Sequence, residues 1–275
     1  MGGRQERLNA VNQLYEPRRF RSTVPFYATY RVPYPDALIA FVAERCRLAP
    51  GSPVLDLGCG PGQLATAFAR LGCTVTAMDP EPDMLAAAAK HAAACGVNIK
   101  FMHGSSFDLG THHGPLRLVA MGRSFHWMDR DATLRVLDGI VDPTGAVVLF
   151  DDRRVAAAGV DWPSLLHDLG MEFVPGRMAQ RRQSNPAWER HETVLLRSPF
   201  RHLTLHGMTV SRTLSADDIV GLAYSKSVTS PEALGEQREA FEHRLRAGLN
   251  RLAPGGLFNE IVEIRALVAR RSPGW

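Results

Sequence analysis

Cysteine is scarce in this chain of 275 residues: the four present, Cys46, Cys59, Cys73 and Cys95, stand singly. Without close CxxC pairs they do not make the ligand set of a structural zinc site, and their density is not that of a disulfide-stapled secreted domain. Reduced thiols in a cytosol are the expectation. Lysine is scarcer still, since of 32 basic residues only Lys90, Lys100 and Lys226 are Lys. So lopsided a ratio fits GC-rich coding bias better than design for a polyanion. Net charge is only +4, and the Arg residues are dispersed apart from short clusters at Arg18-Arg19-Phe20-Arg21, Arg153-Arg154 and Arg181-Arg182. Nucleic-acid binding needs a continuous basic footprint, so nucleic acid is not the expected partner. Long apolar runs are missing too, none approaching the roughly 20 residues that cross a bilayer. The start, Met1-Gly2-Gly3-Arg4-Gln5-Glu6, has no apolar signal core, and Glu6 stands where a myristoylation motif needs Ser or Thr. A cytoplasmic protein, neither exported nor membrane-attached, is expected. No repeat period or low-complexity tract occurs.

With 45% apolar and 22% charged residues and 24 Gly, the chain has the composition of a globular protein. A chain this long buries about 70–75% of its unfolded surface, enough for one large domain with an elaborated cap.

Strands and helices alternate from Gly51 to Asp152. Val54-Leu55-Asp56-Leu57 is a short apolar run, and Leu64, Phe68 and Leu71 then fall at helical spacing. Next come a strand at Thr74–Met78, an alanine-rich helix over about Glu81–Cys95, strands at Asn98–Met102 and Leu116–Met121, a helix over about Asp131–Ile140 and a strand at Ala146–Phe150. The turn Asp142-Pro143-Thr144-Gly145 separates the last two. Strands joined through helices pair in parallel with right-handed crossovers and leave a ligand crevice at their carboxyl ends.

The flanks differ. Residues 1–50 carry Tyr15, Tyr27, Tyr30 and Tyr34 among prolines and arginines, then turn helical at Ala37–Cys46. Residues 153–198 lack clear periodicity apart from a helix at Trp162–Phe173. A strand is expected near 202–210, a capping box at Ser215–Asp218, and a helix opening at Ser230-Pro231. Phe241, Leu245, Leu249 and Leu252 form one apolar stripe, and Glu260–Arg270 alternates as a final strand. The expected fold is α/β: a doubly wound, mostly parallel, seven-stranded Rossmann-like sheet with an N-terminal helical lid and a helical cap after strand five. The expected divisions are lid 1–50, core 51–152, cap 153–258 and final core strand 259–275.

The richest stretch is Val54-Leu55-Asp56-Leu57-Gly58-Cys59-Gly60-Pro61-Gly62-Gln63. Glycines at 58, 60 and 62 allow backbone conformations closed to other residues and let a ligand lie on bare backbone near a helix N-terminus. The turn follows a strand and opens a helix. Asp79, at the end of the next strand, can accept both hydroxyls of a ribose. A dinucleotide site needs GxGxxG, with its third glycine inside the helix; the spacing here is GxGxG.

With Asp56 two residues before Gly58, this run resembles motif I of the class I S-adenosylmethionine-dependent methyltransferases, and Asp79 matches their acidic residue after the second strand. The likeness covers residues 51–152. Tyr30-Arg31-Val32-Pro33-Tyr34-Pro35 and Ser124-Phe125-His126-Trp127 extend it to the small-molecule type 11 group, which includes trans-aconitate methyltransferase. The resemblance implies S-adenosylmethionine as cofactor, S-adenosylhomocysteine as product and a small metabolite as acceptor, in secondary metabolism.

It also implies roles. Gly58, Gly60 and Gly62 border the methionine and ribose portions of the cofactor, Asp79 takes the ribose, and Met84 neighbours the adenine. Gly122 and Arg123 line the methionine end. Relatives often have an acid where Phe107 stands, so adenine recognition falls to Ser105, Ser106 and Phe107 itself. Tyr15, Tyr27, Tyr30 and Tyr34 either pack on the core or form a lid whose aromatic faces attract a sulfonium and exclude water, with Arg31 pairing the cofactor carboxylate. Asp56 either meets the cofactor or only holds the loop.

A sulfonium methyl is already electrophilic, so the protein has mainly to align an acceptor lone pair with the carbon–sulfur bond. His126 is the candidate catalytic base, its alternative being a pocket wall. Trp127, Tyr27 and Asp152 are the candidate acceptor contacts. The run Arg123-Ser124-Phe125-His126 lacks the Pro-Pro-aromatic signature of nucleobase nitrogen methylation, and no cysteine follows Cys95 to form a base adduct. Metal-assisted transfer would need an acid after strand four, so no metal is expected; His112-His113 reads as surface. The rival readings are a cyclase or binding protein on the same fold, a nucleic-acid methyltransferase and a nicotinamide-dependent oxidoreductase.

Overall fold

The computed structural model describes residues 18–155, 161–179 and 188–272. Strands β1 Pro53–Leu57, β2 Thr74–Asp79, β3 Lys100–His103, β4 Leu116–Gly122 and β5 Val141–Arg154 pair in parallel in the order β3-β2-β1-β4-β5. Two further strands, β6 His202–Ser215 and β7 Leu257–Arg270, complete a seven-stranded sheet in which β7 alone is reversed, lying between β5 and the edge strand β6. Strand order changes direction between β1 and β4, which opens a crevice at their carboxyl ends. This is the doubly wound, mostly parallel sheet expected from the alternating pattern.

The period of two along each strand sends residues to two separate cores. Helix α1 Val24–Tyr30 packs Phe26 and Tyr30 against the cap. Val54, Leu118, Ala120, Val148 and Phe150 face helices α2 Asp36–Arg45, α3 Gln63–Arg70 and α4 Pro82–Ala94, of which α2 and α3 supply Leu38, Ile39, Val42, Leu64 and Phe68. Leu55, Leu57, Val119, Met121, Val147 and Leu149 face the other way, toward Leu134 and Leu137 of α5 Arg130–Ile140. Asp129 caps α5 by accepting from Ala132 N at 3.0 Å. Asp129→Ala is expected to lower stability by about 1 kcal/mol, measurable by urea denaturation.

The cap has its own core. Trp162, Leu166 and Leu169 of α6 Trp162–Phe173 join Phe241, Leu245 and Leu249 of the long C-terminal helix, residues Arg238–Leu252. Between them lie α7 Pro175–Ala179, α8 His191–Leu196, α9 Ala216–Tyr224 and α10 Pro231–Leu234, so the long helix is α11. Ser215 and Asp218 form the expected capping box, and Ser230 caps α10 with Pro231 following.

Four expectations need correcting. The helix expected to open at Ser230-Pro231 and carry the apolar stripe breaks after Leu234, where Gly235 at φ +53° and a 3₁₀ turn to Gln237 separate α10 from α11. Leu252 is 45% exposed and stands outside the buried stripe, one turn past Leu249. The turn at 142–145 lies within β5: Val141 pairs with Leu116 and Ala146 with Leu118, so the extra residues form a bulge, tied by Thr144 N and Oγ1 donating to Asp142 Oδ1. β6 runs five residues beyond Val210, because β7 offers it a ladder along its whole length. Tyr15 and Arg181-Arg182 lie outside the described residues. Among the described residues no helix is long and apolar enough to cross a membrane.

Candidate functional site

The glycine run forms the loop between β1 and α3, and its glycines are needed for different reasons. Gly58 has φ +71°, and a Cβ there would sit 2.6 Å from that of Ser124, so the loop passes flush against the chain leaving β4. Gly62, at φ +79°, opens α3 and abuts Ala88 of α4. Gly60 has φ +51° with nothing within 4 Å of a Cβ position, so its backbone faces open space.

Two carboxylates hold the loop. Asp79 Oδ2 accepts from Gly60 N at 2.8 Å and its Oδ1 from Glu81 N at 2.9 Å. Asp56 Oδ2 accepts from Ala65 N at 2.9 Å, whereas its buried Oδ1 has no partner among the described residues. Burial outweighs these bonds in both cases. It pushes Asp56 up to about 7, with the neighbouring Asp79 charge adding to the effect, and Asp79 up to about 6.

Above the loop lies a cleft of about 250 Å³, walled by Asp56, the bend at Gly58–Pro61, Gln63 and Leu64, Gly122 at the end of β4, and the rings of Tyr27 and Tyr34. Behind the tyrosines is a buried group of charges. Arg123 has φ +57°, an uncommon backbone state for a non-glycine residue. Its guanidinium lies 4.6 Å from the Tyr34 ring centroid, donates to Val32 O at 2.8 Å and pairs through Nε with Asp152. Burial would raise the Asp152 pKa, but Arg123 and Arg31 together hold it well below the usual carboxylate range. Burial also raises the Tyr34 phenol, which therefore stays protonated. Arg31 lies 5.1 Å from the Tyr27 ring, donates to Ser225 O at 3.2 Å and keeps a buried Nε without a partner among the described residues; burial lowers its pKa.

The structure thus brings Tyr27, Asp56, Gly58, Gly60 and Gly122 into one wall, with Gly62 at the loop's end and Arg31 and Arg123 directly behind the tyrosine rings. Other residues stand elsewhere. Tyr30 turns toward the cap, stacking on Phe26 and lying so close to Gly221 that a Cβ there would be 2.3 Å from its ring. Asp152 is held by Arg123 rather than presented in the cleft wall. Met84 is buried at the start of α4 and Ser106 is buried, while Phe107 is 51% exposed and Ser105 donates through Oγ to Asp108. His126 and Trp127 occupy a short turn after β4, their rings 4.8 Å apart, with His191 at 6.4 Å from His126. Phe20 meets Trp127 edge-on at 5.4 Å. Neither His126 nor Trp127 lines the cleft.

Sequence reasoning left out Tyr34, Cys59, Pro61, Gln63 and Leu64 as cleft residues. Those from 59 to 64 follow directly once Gly58–Gly62 is placed on a strand-to-helix bend. The signal for Tyr34 was its position before the α2 N-terminus, two residues from Val32, whose carbonyl Arg123 grips. Among the described residues no cluster of three or more His, Cys, Asp or Glu is placed to hold a metal ion.

Residues 54–145 match the sequence profile of a methyltransferase domain family. A ubiquinone biosynthesis O-methyltransferase of Xanthomonas euvesicatoria is 34% identical over 122 residues, covering 44% of this chain and 51% of the relative. One from Escherichia coli O7:K1 is 28% identical over 174 residues, 58% of this chain and 72% of its own. The chain spans about half the length of the Xanthomonas relatives it matches. Among solved structures, a putative type II methyltransferase from Anaeromyxobacter dehalogenans superposes with TM-score 0.58 at 18% identity, over 88% of this chain and 98% of that one. A methyltransferase from Geobacter sulfurreducens, crystallised with S-adenosylhomocysteine, gives TM-score 0.51 at 17% identity over 94% and 100% of the two chains. Residues 54–145 are thus similar to a methyltransferase domain, and the seven-stranded sheet has the same fold as these two solved methyltransferase structures.

Proposed function

We propose that the protein transfers a methyl group from S-adenosylmethionine to a small-molecule acceptor, with oxygen the acceptor atom that the names of its relatives favour. The observation that carries this reading is the cleft itself. A bare glycine backbone meets a buried carboxylate, Asp56, whose Oδ1 lacks a partner, and two guanidinium groups stand behind one wall. An amino-acid end bearing both an ammonium and a carboxylate matches that donor set: Asp56 for the ammonium, Arg31 for the carboxylate. The residues present therefore fit the cofactor.

When bound, the cofactor supplies a methyl group already activated for nucleophilic attack. The protein's share is to hold that group in line with the acceptor and to keep water away with the tyrosine rings. Transfer to a hydroxyl would also require the acceptor to give up its proton. His126 is the candidate to take that proton, and Trp127 the wall beside it. Asp79, Met84, Ser105, Ser106 and Phe107 are assigned to the nucleoside end. A small-molecule acceptor and a cytoplasmic location complete the reading, and the unpaired thiols of Cys46, Cys59, Cys73 and Cys95 agree with the latter.

Calorimetry with S-adenosylmethionine and S-adenosylhomocysteine tests the cofactor. Asp79→Ala is expected to weaken both by about 1.5–3 kcal/mol if its carboxylate holds the ribose. Unchanged affinity removes that assignment. Release of S-adenosylhomocysteine in the presence of acceptor tests the transfer and separates it from cyclase or binding-only readings.

A further inference from the structure

Where the lid segment, the cap and the carboxyl end of the sheet meet, four buried donor nitrogens lack a partner among the described residues: Arg31 Nε, Arg123 Nη1, Trp162 Nε1 and Arg212 Nη2. Native proteins leave few buried N–H groups unpaired, because each costs its desolvation penalty in full. Four in one region call for an acceptor group that serves several of them.

Their proximity follows from shared partners. Arg212 Nη1 donates at 3.2 Å to the carbonyl of Tyr30, the residue before Arg31. Arg212 and Arg154 grip opposite oxygens of Glu260, at 2.5 and 2.6 Å, and the Arg154 guanidinium lies 5.1 Å from the Trp162 ring centroid. The Arg154 charge in turn bears on Arg31 and on Asp152, the partner of Arg123.

The charges divide into two halves. Asp152 answers Arg123, and Arg31, which has no carboxylate within ion-pair distance among the described residues, is the group assigned above to the cofactor's carboxylate. On the cap side the buried Glu260 is shared by two guanidinium groups, so one positive charge is left over. Asp218 also acts on Arg212 but makes no ion pair with it, and its Oδ2 is taken by Ser215 N and Oγ. Arg154 and Arg212 keep 29% and 22% of their side chains exposed, so a solute can reach them, while Trp162 beside them is buried.

This group adjoins the glycine-loop cleft. Arg31 packs on Tyr27 and Arg123 on Tyr34, and both rings wall the cleft. Arg123 directly follows Gly122 in that wall, and Arg154 ends β5, the strand beside β4. Ligands of doubly wound sheets bind at these carboxyl ends.

We infer that Arg154, Arg212 and Trp162 bind a carboxylate carried by the methyl acceptor, next to the cofactor cleft. The inference rests on the methyl-transfer reading given above. Guanidinium and indole N–H groups donate to carboxylate oxygens through charge-assisted hydrogen bonds, and one surplus positive charge matches a carboxylate better than a dianionic phosphate.

The test is calorimetry on the full chain at constant low ionic strength, with S-adenosylhomocysteine present so that Arg31 is engaged. The probes are benzoate, its neutral isostere benzamide, and phenyl phosphate. Benzoate should bind about tenfold or more tightly than benzamide, and Arg212→Gln should abolish that preference. Trp162→Phe keeps an aromatic ring but removes the N–H; it should weaken benzoate by about three- to tenfold and leave S-adenosylhomocysteine affinity unmoved. Glu260→Gln releases both guanidinium groups and should tighten benzoate several-fold, whereas a purely structural ion pair would give no gain. Should Glu260→Gln fail to fold, Trp162→Phe and Arg212→Gln still decide. Equal binding of benzoate and benzamide, a preference that neither Trp162→Phe nor Arg212→Gln reduces, or tighter binding of phenyl phosphate than of benzoate overturns the inference. If S-adenosylhomocysteine binds while benzoate shows no preference, this inference alone fails. If the arginine-dependent preference holds in a protein that does not bind S-adenosylhomocysteine, the methyl-transfer reading fails, and with it the assignment of the carboxylate to a methyl acceptor.

Discussion

Asp152→Ala is expected to destabilise the protein by about 3–5 kcal/mol, a fall of roughly 6–10 °C in Tm, because it leaves buried guanidinium charge uncompensated. Asp152 is the partner of Arg123 Nε, and its charge also acts on Arg31. Their side chains are 9% and 20% exposed for Arg123 and Asp152 respectively, too little for solvent to take over. Arg123 already has one buried nitrogen, Nη1, without a partner among the described residues. Such a pair adds little net stability over an apolar substitute but is costly to break from one side. The double variant Arg123→Met with Asp152→Ala should accordingly lose much less than the sum of the two single changes. Urea denaturation of the four proteins measures this, and additivity, or a single-variant loss below about 1 kcal/mol, would refute the account.

The function of this pair also follows from where it sits. Arg123 leaves β4 in a left-handed backbone state directly after Gly122, and its side chain runs under Tyr34 to the Val32 carbonyl. It thereby ties the lid segment to the end of the strand that walls the cleft. A second such tie runs through Glu260, 1% exposed, which pairs with Arg154 and Arg212, while Arg212 donates to Tyr30 O at 3.2 Å. Both ties converge on residues 30–34, the segment that carries Tyr34 into the cleft wall.

The parts of this arrangement that were legible in the sequence are those set by local rules. Strand, glycine bend and helix at 54–70 follow from apolar periodicity and from the backbone states only glycine adopts easily. The helix at 162–173 and the capping box at 215–218 were readable for similar reasons. The contacts that were not legible cross long separations in sequence. Nothing near Tyr30 announces that Gly221 leaves room for its ring, and nothing near Asp152 announces Arg123, because both contacts arise from how the lid, cap and sheet dock. Tyr34 was visible as an aromatic lid residue but not as a cleft wall. Tyr30 and Tyr34 share composition and neighbourhood, and only the turn of the chain between α1 and α2 sends them to opposite sides. The edge strand β6 was underestimated because only Leu214 of its residues is buried, so its extent is set by the β7 ladder and leaves little apolar signal.

The same buried cleft should show itself in the pH dependence of stability. Asp56 ordinarily titrates near 3.8 and is raised to about 7 in the folded protein, chiefly by burial. A carboxyl whose pKa is higher folded than unfolded contributes stability that is fully present below pH ~4 and lost as pH rises through ~7. That displacement corresponds to on the order of 4 kcal/mol between those limits. Asp79, raised to about 6, acts in the same direction over pH ~4–6. Asp152 acts oppositely: its depressed pKa contributes stability above pH ~4 that is lost in stronger acid. Asp56→Asn, which keeps an amide oxygen to accept from Ala65 N, should therefore be more stable than wild type at pH 8, with the advantage shrinking toward pH 5. The same variant should bind S-adenosylhomocysteine more weakly, because Asn offers the ligand's ammonium no charge. Denaturant titrations at pH 5, 6.5 and 8 check the first half, and calorimetry at pH 8 the second. A wild-type slope that Asp56→Asn leaves unchanged would place the titrating group elsewhere. A flattened slope with undiminished affinity would make Asp56 a support of the loop with no part in binding. Loss of both would show that a carboxylate costly to fold is retained for the ligand it receives.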